Sequence, residues 1–157
     1  MKNFIKILFV IIFVLVADLV TKHFLFSVEY FNLIPGVLSI ATNGGNDGAA
    51  WGILGGETMT LIIVSCVMII ALLIFNLFVK KKNWFYRLAF GFIVGGAIGN
   101  LVDRIMLGYV RDFIFLDFMP TFPIFNIADS FICIGALMMI LFVIFAPSKK
   151  KTEEKKD

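Results

Sequence analysis

Four long runs of apolar residues dominate the chain, and polar segments separate them. The runs lie at about 4–26, 58–79, 88–107 and 127–145. Each is close to the roughly 20 residues that a helix needs to cross a hydrocarbon core of about 30 Å. The pattern predicts an all-α polytopic membrane protein with four transmembrane helices, which forms a single integral membrane domain over residues 1–157.

Glycine recurs at every fourth position of the third run, at Gly91, Gly95 and Gly99. Residues at this spacing share one face of a helix, and small side chains there allow a neighbouring helix to approach closely. We therefore expect this face to pack against another span.

The segment between the first two runs is too long for a tight turn. Residues 37–42 have the composition of a short strand, and the glycine-rich and asparagine-rich stretch 43–48 is typical of turns. We predict a small β-containing platform on the extracytoplasmic side between helices 1 and 2. An ordered interfacial loop without a function is the alternative.

Composition and charge placement agree with a membrane protein and predict its orientation. The chain is 61% hydrophobic and 16% charged, whereas soluble domains carry about 25% charged residues. If the N-terminus is inside, the N-terminal end, the loop at 80–87 and the charged tail at 147–157 hold 11 of the 14 basic residues. The positive-inside rule therefore predicts that both termini are cytoplasmic.

The first run leads into Ala17-Asp18-Leu19 without a small-residue cleavage motif, so we expect an uncleaved span.

Ionisable and amide side chains gather where three of the runs approach the outer boundary. Charged groups in a span are costly, so they need partners or a function. This placement predicts a site at the outer face of the membrane. Its candidate residues are Asp18, Lys22, Asn100, Asp103, Arg104, Asp112, Asn126 and Asp129.

Structural roles are open for several of these residues. Asp18 and Lys22 are spaced as a stabilising i,i+4 pair, with Lys22 extending to the membrane interface. Asn100, Asp103 and Arg104 share a helix face and are compatible with an ion pair or with substrate contact.

At the start of the fourth run, Asn126 suits an N-cap, which would satisfy it without a catalytic role. Capping does not explain the carboxylate of Asp129 inside the span.

The residues available exclude several kinds of chemistry. His23 is the single histidine, and Cys66 and Cys133 lie in apolar runs, where we expect them to pack in the core. A histidine-based triad and a zinc peptidase are therefore disfavoured, and no cofactor is expected.

Carboxylates remain as candidate catalytic groups. Asp112 and Asp129 are the natural pair, because two close aspartates share a proton and can activate water; their spacing permits such a pair without proving it.

Five motifs, in order along the chain, resemble those of the prolipoprotein signal peptidase (signal peptidase II) family. They occupy residues 18–22, 46–52, 95–104, 110–114 and 125–130. The resemblance implies that Asp112 and Asp129 are the catalytic dyad. It implies substrate-binding or supporting positions at Asp18, Lys22, Asn46, Gly48, Asn100, Asp103, Arg104 and Asn126.

The activity implied by the resemblance is that of a membrane aspartic endopeptidase of the bacterial cell membrane. It would remove signal peptides from diacylglyceryl-modified prolipoproteins, bind membrane lipid but no nucleic acid, act as a monomer and need no metal. The chain departs from the family pattern at Arg111 and in the stretch 43–45, and we expect these departures to bear on local loop geometry and substrate preference. The alternatives are a small transporter that handles protons or cations and a structural membrane adaptor; a transporter would place ionisable groups near mid-membrane.

Overall fold

Four long helices make up most of the fold. The computed structural model describes residues 2–42, 44–80 and 82–145; Asn43, Lys81 and the predicted tail at 147–157 lie outside the described residues. Four helices are long and apolar enough to cross a membrane, and the prediction of a polytopic membrane protein is confirmed. They are α1 (Lys2–Leu25), α2 (Thr58–Phe78), α3 (Trp84–Leu107) and α4 (Ile127–Phe145).

Helix α3 begins four residues earlier than the hydrophobic pattern predicted. Asn83 is its N-cap, and its side-chain oxygen accepts a hydrogen bond from the backbone N–H of Tyr86 at 2.8 Å. Residues 84–87 are therefore helical, whereas the sequence pattern placed them in a loop. The helix ends at Gly108, whose left-handed conformation (φ 85°) lets its N–H donate to the carbonyl of Arg104 at 3.1 Å.

The glycine row of α3 packs directly against α1, as predicted. A Cβ atom added at Gly91 would lie 2.5 Å from Cγ1 of Val10, and one at Gly95 would lie 2.8 Å from Cβ of Val14. Both distances are shorter than side chains tolerate, so α1 and α3 can approach this closely only because glycine lacks a Cβ.

Helix α4 packs against α3 through two further glycines. A Cβ at Gly96 would lie 2.5 Å from the carbonyl oxygen of Ala128, and one at Gly135 would lie 2.8 Å from that of Ala89. Helix α3 therefore contacts α1, α2 and α4, and it is the most buried of the four.

The polar residues of three helices meet at one end of this bundle, which we call the polar end. It holds Asp18, Asp103 and Asp129.

A three-stranded antiparallel sheet covers the polar end. Its strands are β1 (Tyr30–Ile34), β2 (Leu38–Ala41) and β3 (Ile114–Leu116), in the order β1-β2-β3. Pro35 and Gly36 (φ 73°) form the turn between β1 and β2, and the N–H of Val37 donates to the carbonyl of Ile34 at 2.9 Å.

The strand predicted within 37–42 is confirmed, but the platform is not built from the α1–α2 segment alone. Strand β3 comes from the α3–α4 segment and pairs with β2, for example Phe115 with Ser39. The sheet therefore joins two segments that are distant in sequence.

Candidate active site

Asp112 is held between two backbone pairings at the polar end. On one side, Val110 forms an antiparallel bridge with Asn46, with N–H to carbonyl distances of 2.8 and 2.9 Å. On the other side, the N–H of Phe113 donates to the carbonyl of Phe125 at 3.0 Å. The Asp112 side chain is buried, with a relative exposure of 2%. Its position is therefore fixed by strand pairing rather than by a free loop.

Asp129 lies in the first turn of α4, and the cap of that helix orients it. Its N–H donates to the side-chain oxygen of Asn126 at 2.9 Å, and its Oδ2 accepts the Asn126 N–H at 3.2 Å. Its Oδ1 accepts from Nδ2 of Asn100 at 2.7 Å. Asn126 is thus an N-cap, as the sequence suggested.

The side-chain amide nitrogen of Asn126 contacts Asp112, which the capping of α4 alone does not explain. It donates to Oδ1 of Asp112 at 2.7 Å and to Oδ1 of Asn100 at 3.0 Å. Asn46 donates to the other oxygen of Asp112 at 2.9 Å. Each of the two carboxylates therefore has both oxygens hydrogen-bonded. The buried residue Asn126 bonds to both of them.

Burial raises the pKa of the Asp112 carboxyl to about 6, and the negative charge of Asp129 adds to the increase. Hydrogen bonds from Asn46 and Asn126 and the charge of Lys22 act in the opposite direction. The net shift brings protonation of Asp112 close to neutral pH, where proton transfer to and from a reacting group is efficient.

A buried network of ions lies behind the two aspartates. The ammonium of Lys22 contacts Asp18 at 2.8 Å, Oδ1 of Asn100 at 2.9 Å and Asp103 at 3.3 Å. The Lys22 side chain has no exposed surface. The expectation that it extends to the membrane interface is therefore wrong, because three buried oxygen acceptors surround its ammonium.

Asp18 and Asp103, which both contact Lys22, each have a further partner. Oδ1 of Asp18 accepts the N–H of Ala128 at 2.9 Å, at the start of α4. Asp103 accepts from Arg111, whose Nη2 lies 2.7 Å from its Oδ1. This hydrogen-bonded ion pair raises the pKa of the Arg111 guanidinium above its usual value, so Arg111 stays charged.

Arg104 connects the end of α3 to the glycine-rich segment. Its Nη2 donates to the carbonyl of Gly48 at 3.0 Å, and the Gly48 N–H donates to Oδ1 of Asn46 at 3.0 Å. The side chain of Asn46 is thereby oriented with its amide nitrogen toward Asp112. Nε of Arg104 has no hydrogen-bond partner among the described residues.

A cavity of about 540 Å³ opens beside the two aspartates. One part of its wall is polar, and the larger part is apolar. Cys133 lies in this wall and is exposed, which corrects the expectation that it packs in the core. The polar lining comprises Asn46, Asn100, Arg104, Asp112, Asp129 and Ser130, and the apolar lining includes Ala49, Trp51, Val110, Leu116, Phe122, Pro123, Ile124, Phe125 and Ile132.

Two comparisons with known proteins match nearly the whole chain. A family model described as signal peptidase (SPase) II matches residues 10–145. Lipoprotein signal peptidases of Staphylococcus aureus strains JH9 and Newman are 39% identical over 150 residues, which is 92% of this chain and 91% of theirs. The chain belongs to the signal peptidase II family.

Solved structures agree with that assignment. Two structures described as a bacterial membrane enzyme align with TM-scores of 0.77 and 0.76, at 37% and 35% identity. They cover 99% and 93% of this chain, and 94% of each of their own. This member of the signal peptidase II family is therefore a peptidase and a multi-pass membrane protein.

The polar end of this signal peptidase II chain brings together all the side chains singled out in the sequence. Four of these side chains support the cavity wall from behind and do not line it: Asp18, Lys22, Asp103 and Asn126. No group of three or more His, Cys, Asp or Glu in the described ranges is arranged to hold a metal ion.

Sequence reasoning missed two features of this site. Much of the apolar wall of the cavity, including Phe122 and Ile124, comes from the segment before α4, which has no periodic pattern. The partner of Arg111 was also missed, although the spacing of eight residues across the glycine at the end of α3 was available as a signal.

Proposed function

We propose that this chain removes the signal peptide from diacylglyceryl-modified bacterial prolipoproteins, with Asp112 and Asp129 as the catalytic pair. The observation that carries the proposal is the hydrogen bonding of both carboxylates to Asn126 at the wall of the cavity. The name lipoprotein signal peptidase, borne by relatives 39% identical over most of the chain, supports the substrate class.

The chemistry follows from two carboxyl groups that share one proton. The ionised aspartate takes a proton from water while the resulting hydroxide adds to the scissile carbonyl carbon. The protonated aspartate donates a hydrogen bond to the carbonyl oxygen, where negative charge develops. A proton then passes to the leaving amide nitrogen as the C–N bond breaks, which yields a carboxylate and a free amine. The raised pKa of Asp112 supports its holding a proton in part of this cycle.

The charges around the two aspartates support a pair that carries a single negative charge. Lys22 and Arg111 offset Asp18 and Asp103, and the remaining cation among the described residues of the polar end, Arg104, lines the cavity. Arg104 therefore balances a pair that has lost one proton.

The two parts of the cavity wall suit a lipidated peptide. Apolar residues such as Leu116, Phe122 and Ile132 would contact acyl chains, and the asparagines would contact the peptide backbone. Placing this substrate in water would expose its acyl chains at about 0.8 kcal/mol per CH₂, so entry from the lipid is favoured. We propose that the chain is a single membrane unit, acts as a monomer, and has cytoplasmic termini and an outward-facing polar end.

A proton or cation transporter is the weaker candidate. Its relay would require ionisable groups at several depths along the helices. The buried charged residues among those described are confined to the polar end, whereas the buried core toward the other end consists of Ile7, Tyr86, Phe90 and Val94.

The proposal is tested by incubating the purified protein with a prolipoprotein that carries the diacylglyceryl group on its cysteine. The expected result is release of the signal peptide by cleavage just before the modified cysteine, identified by mass spectrometry. The same precursor without the lipid is the matched control and should be cleaved at least about tenfold more slowly, because remote binding energy is lost. No cleavage of either precursor by folded protein would reject the proposed function.

A further inference from the structure

Arg111 makes four contacts with the carboxylate of Asp103. Its backbone N–H donates to Oδ2 at 3.0 Å. Its Nη2 lies 2.7 Å from Oδ1, and its Nε lies 3.2 and 3.3 Å from the two oxygens. The Asp103 side chain is 1% exposed and that of Arg111 is 19% exposed. This geometry is bidentate and largely shielded, unlike the exposed pairs that contribute little.

The second cation beside Asp103 has closer partners elsewhere. Lys22 lies 3.3 Å from Asp103 but 2.8 Å from Asp18 and 2.9 Å from Asn100. Arg111 therefore provides most of the charge compensation of Asp103. Without Arg111, a carboxylate at 1% exposure would retain only Lys22 as a cationic partner, and uncompensated buried charge is strongly destabilising. The Lys22 ammonium would be drawn toward Asp103.

The position of Lys22 determines the orientation of Asn100. Oδ1 of Asn100 accepts from Lys22 at 2.9 Å and from Asn126 at 3.0 Å, so its Nδ2 points to Asp129. If Lys22 moves away, Oδ1 loses its charged donor. Asn100 then keeps the neutral donor Asn126 but loses the charged one, so the amide orientation in which Asp129 receives a hydrogen bond at 2.7 Å is favoured less strongly.

We propose that Arg111 is a positioning residue for the aspartate pair, an inference that rests on the proposed function. By neutralising Asp103 it keeps Lys22 on Asn100, and through Asn100 it orients Asp129. Its own backbone adjoins Asp112, and the hydrogen bond from its N–H to Oδ2 of Asp103 also ties the segment that carries Asp112 to helix α3.

The test compares Arg111→Met, which removes the charge at similar bulk, with Arg111→Lys and with the double variant Arg111→Met/Asp103→Asn. Each is purified with the wild type, and kcat, KM and the thermal midpoint are measured on a lipidated prolipoprotein. For Arg111→Met we expect kcat to fall at least about tenfold with KM within about threefold, because orientation and not binding is lost.

Removing the Asp103 charge as well should recover most of that kcat, since Asp103 then no longer attracts Lys22 away from Asn100. Arg111→Lys keeps the charge but not the planar fork that bonds both oxygens of Asp103, so its kcat should be lower than that of the wild type and higher than that of Arg111→Met. If Arg111→Met does not fold, the kcat of the double variant still decides the question. The proposal is overturned if folded Arg111→Met keeps the wild-type kcat, or if the folded double variant is at least about tenfold slower than wild type. A wild type that cleaves nothing would instead reject the proposed function.

Discussion

Replacing Gly99 by alanine should disturb the ion network behind the site. The added Cβ would contact Oδ2 of Asp18 and would lie 3.1 Å from its Cγ and 3.5 Å from Cβ of Ala128. That carboxylate is held by Lys22 at 2.8 Å and by the N–H of Ala128 at 2.9 Å. The methyl group must therefore displace α1 or the carboxylate. Overpacking alone costs about 1–3 kcal/mol, and a broken buried pair costs about 3–5 kcal/mol.

We expect the free energy of unfolding to decrease by about 3 kcal/mol, which corresponds to a fall in the thermal midpoint of roughly 6–12 °C. We also expect kcat per folded molecule to fall by about tenfold or more, because Lys22 no longer holds Asn100. Gly91→Ala is the matched control. It is also overpacked, at 2.5 Å from Cγ1 of Val10, but it meets an apolar side chain away from the polar end. It should lower the midpoint and leave kcat per folded molecule within about twofold. A Gly99→Ala protein with wild-type midpoint and kcat would refute this reasoning.

Three further predictions concern proton binding, hydrogen bonding and orientation. Because the pKa of Asp112 is raised from 3.8 to about 6, the native state binds more protons than the unfolded chain in this range. The contribution of Asp112 to stability should therefore fall by about 3 kcal/mol as pH rises from about 4 to 6 and then level off; in Asp112→Asn, thermal midpoints measured across this range should fall less than in the wild type. Asn46→Ala removes a hydrogen bond that lowers the pKa of Asp112, so the limb of the pH–rate profile that Asp112 governs should move to higher pH; an unmoved profile would exclude Asp112 as the titrating group. A reporter inserted at residues 44–45 should be accessible from outside the cell and one after residue 157 should not; the opposite labelling would place the site at the cytoplasmic face.

The helices were predictable from the sequence because a membrane imposes strong constraints on length and polarity. Helices α2 and α4 end within one residue of the predicted bounds. The start of α3 was missed because Trp84–Arg87 is less apolar than a span, and it is helical through the cap that Asn83 provides. The glycine row was read correctly, since its spacing alone defines a helix face.

The site was predictable as a set of residues but not as a network. Local spacing predicted the pair Asp18–Lys22, and it also placed Lys22 at the interface. The acceptor that helps keep it buried, Asn100, lies 78 residues away, and no local pattern reports such a contact. Strand β3 was missed for a similar reason, because three residues are too few to show an alternating pattern and its pairing with β2 is long-range.

The most direct test of the catalytic pair is turnover of a lipidated prolipoprotein by Asp112→Asn, Asp129→Asn and the double variant, with Asp103→Asn as control. Each substitution nearly preserves shape, so folding can be checked by the thermal midpoint. Each single variant should lose about 10³-fold or more in kcat, and the double variant should be little worse, because the two carboxyl groups act as a unit. Asp103→Asn should retain measurable turnover. Near-normal turnover by Asp112→Asn, or a loss in Asp103→Asn as large as in Asp129→Asn, would contradict the assignment.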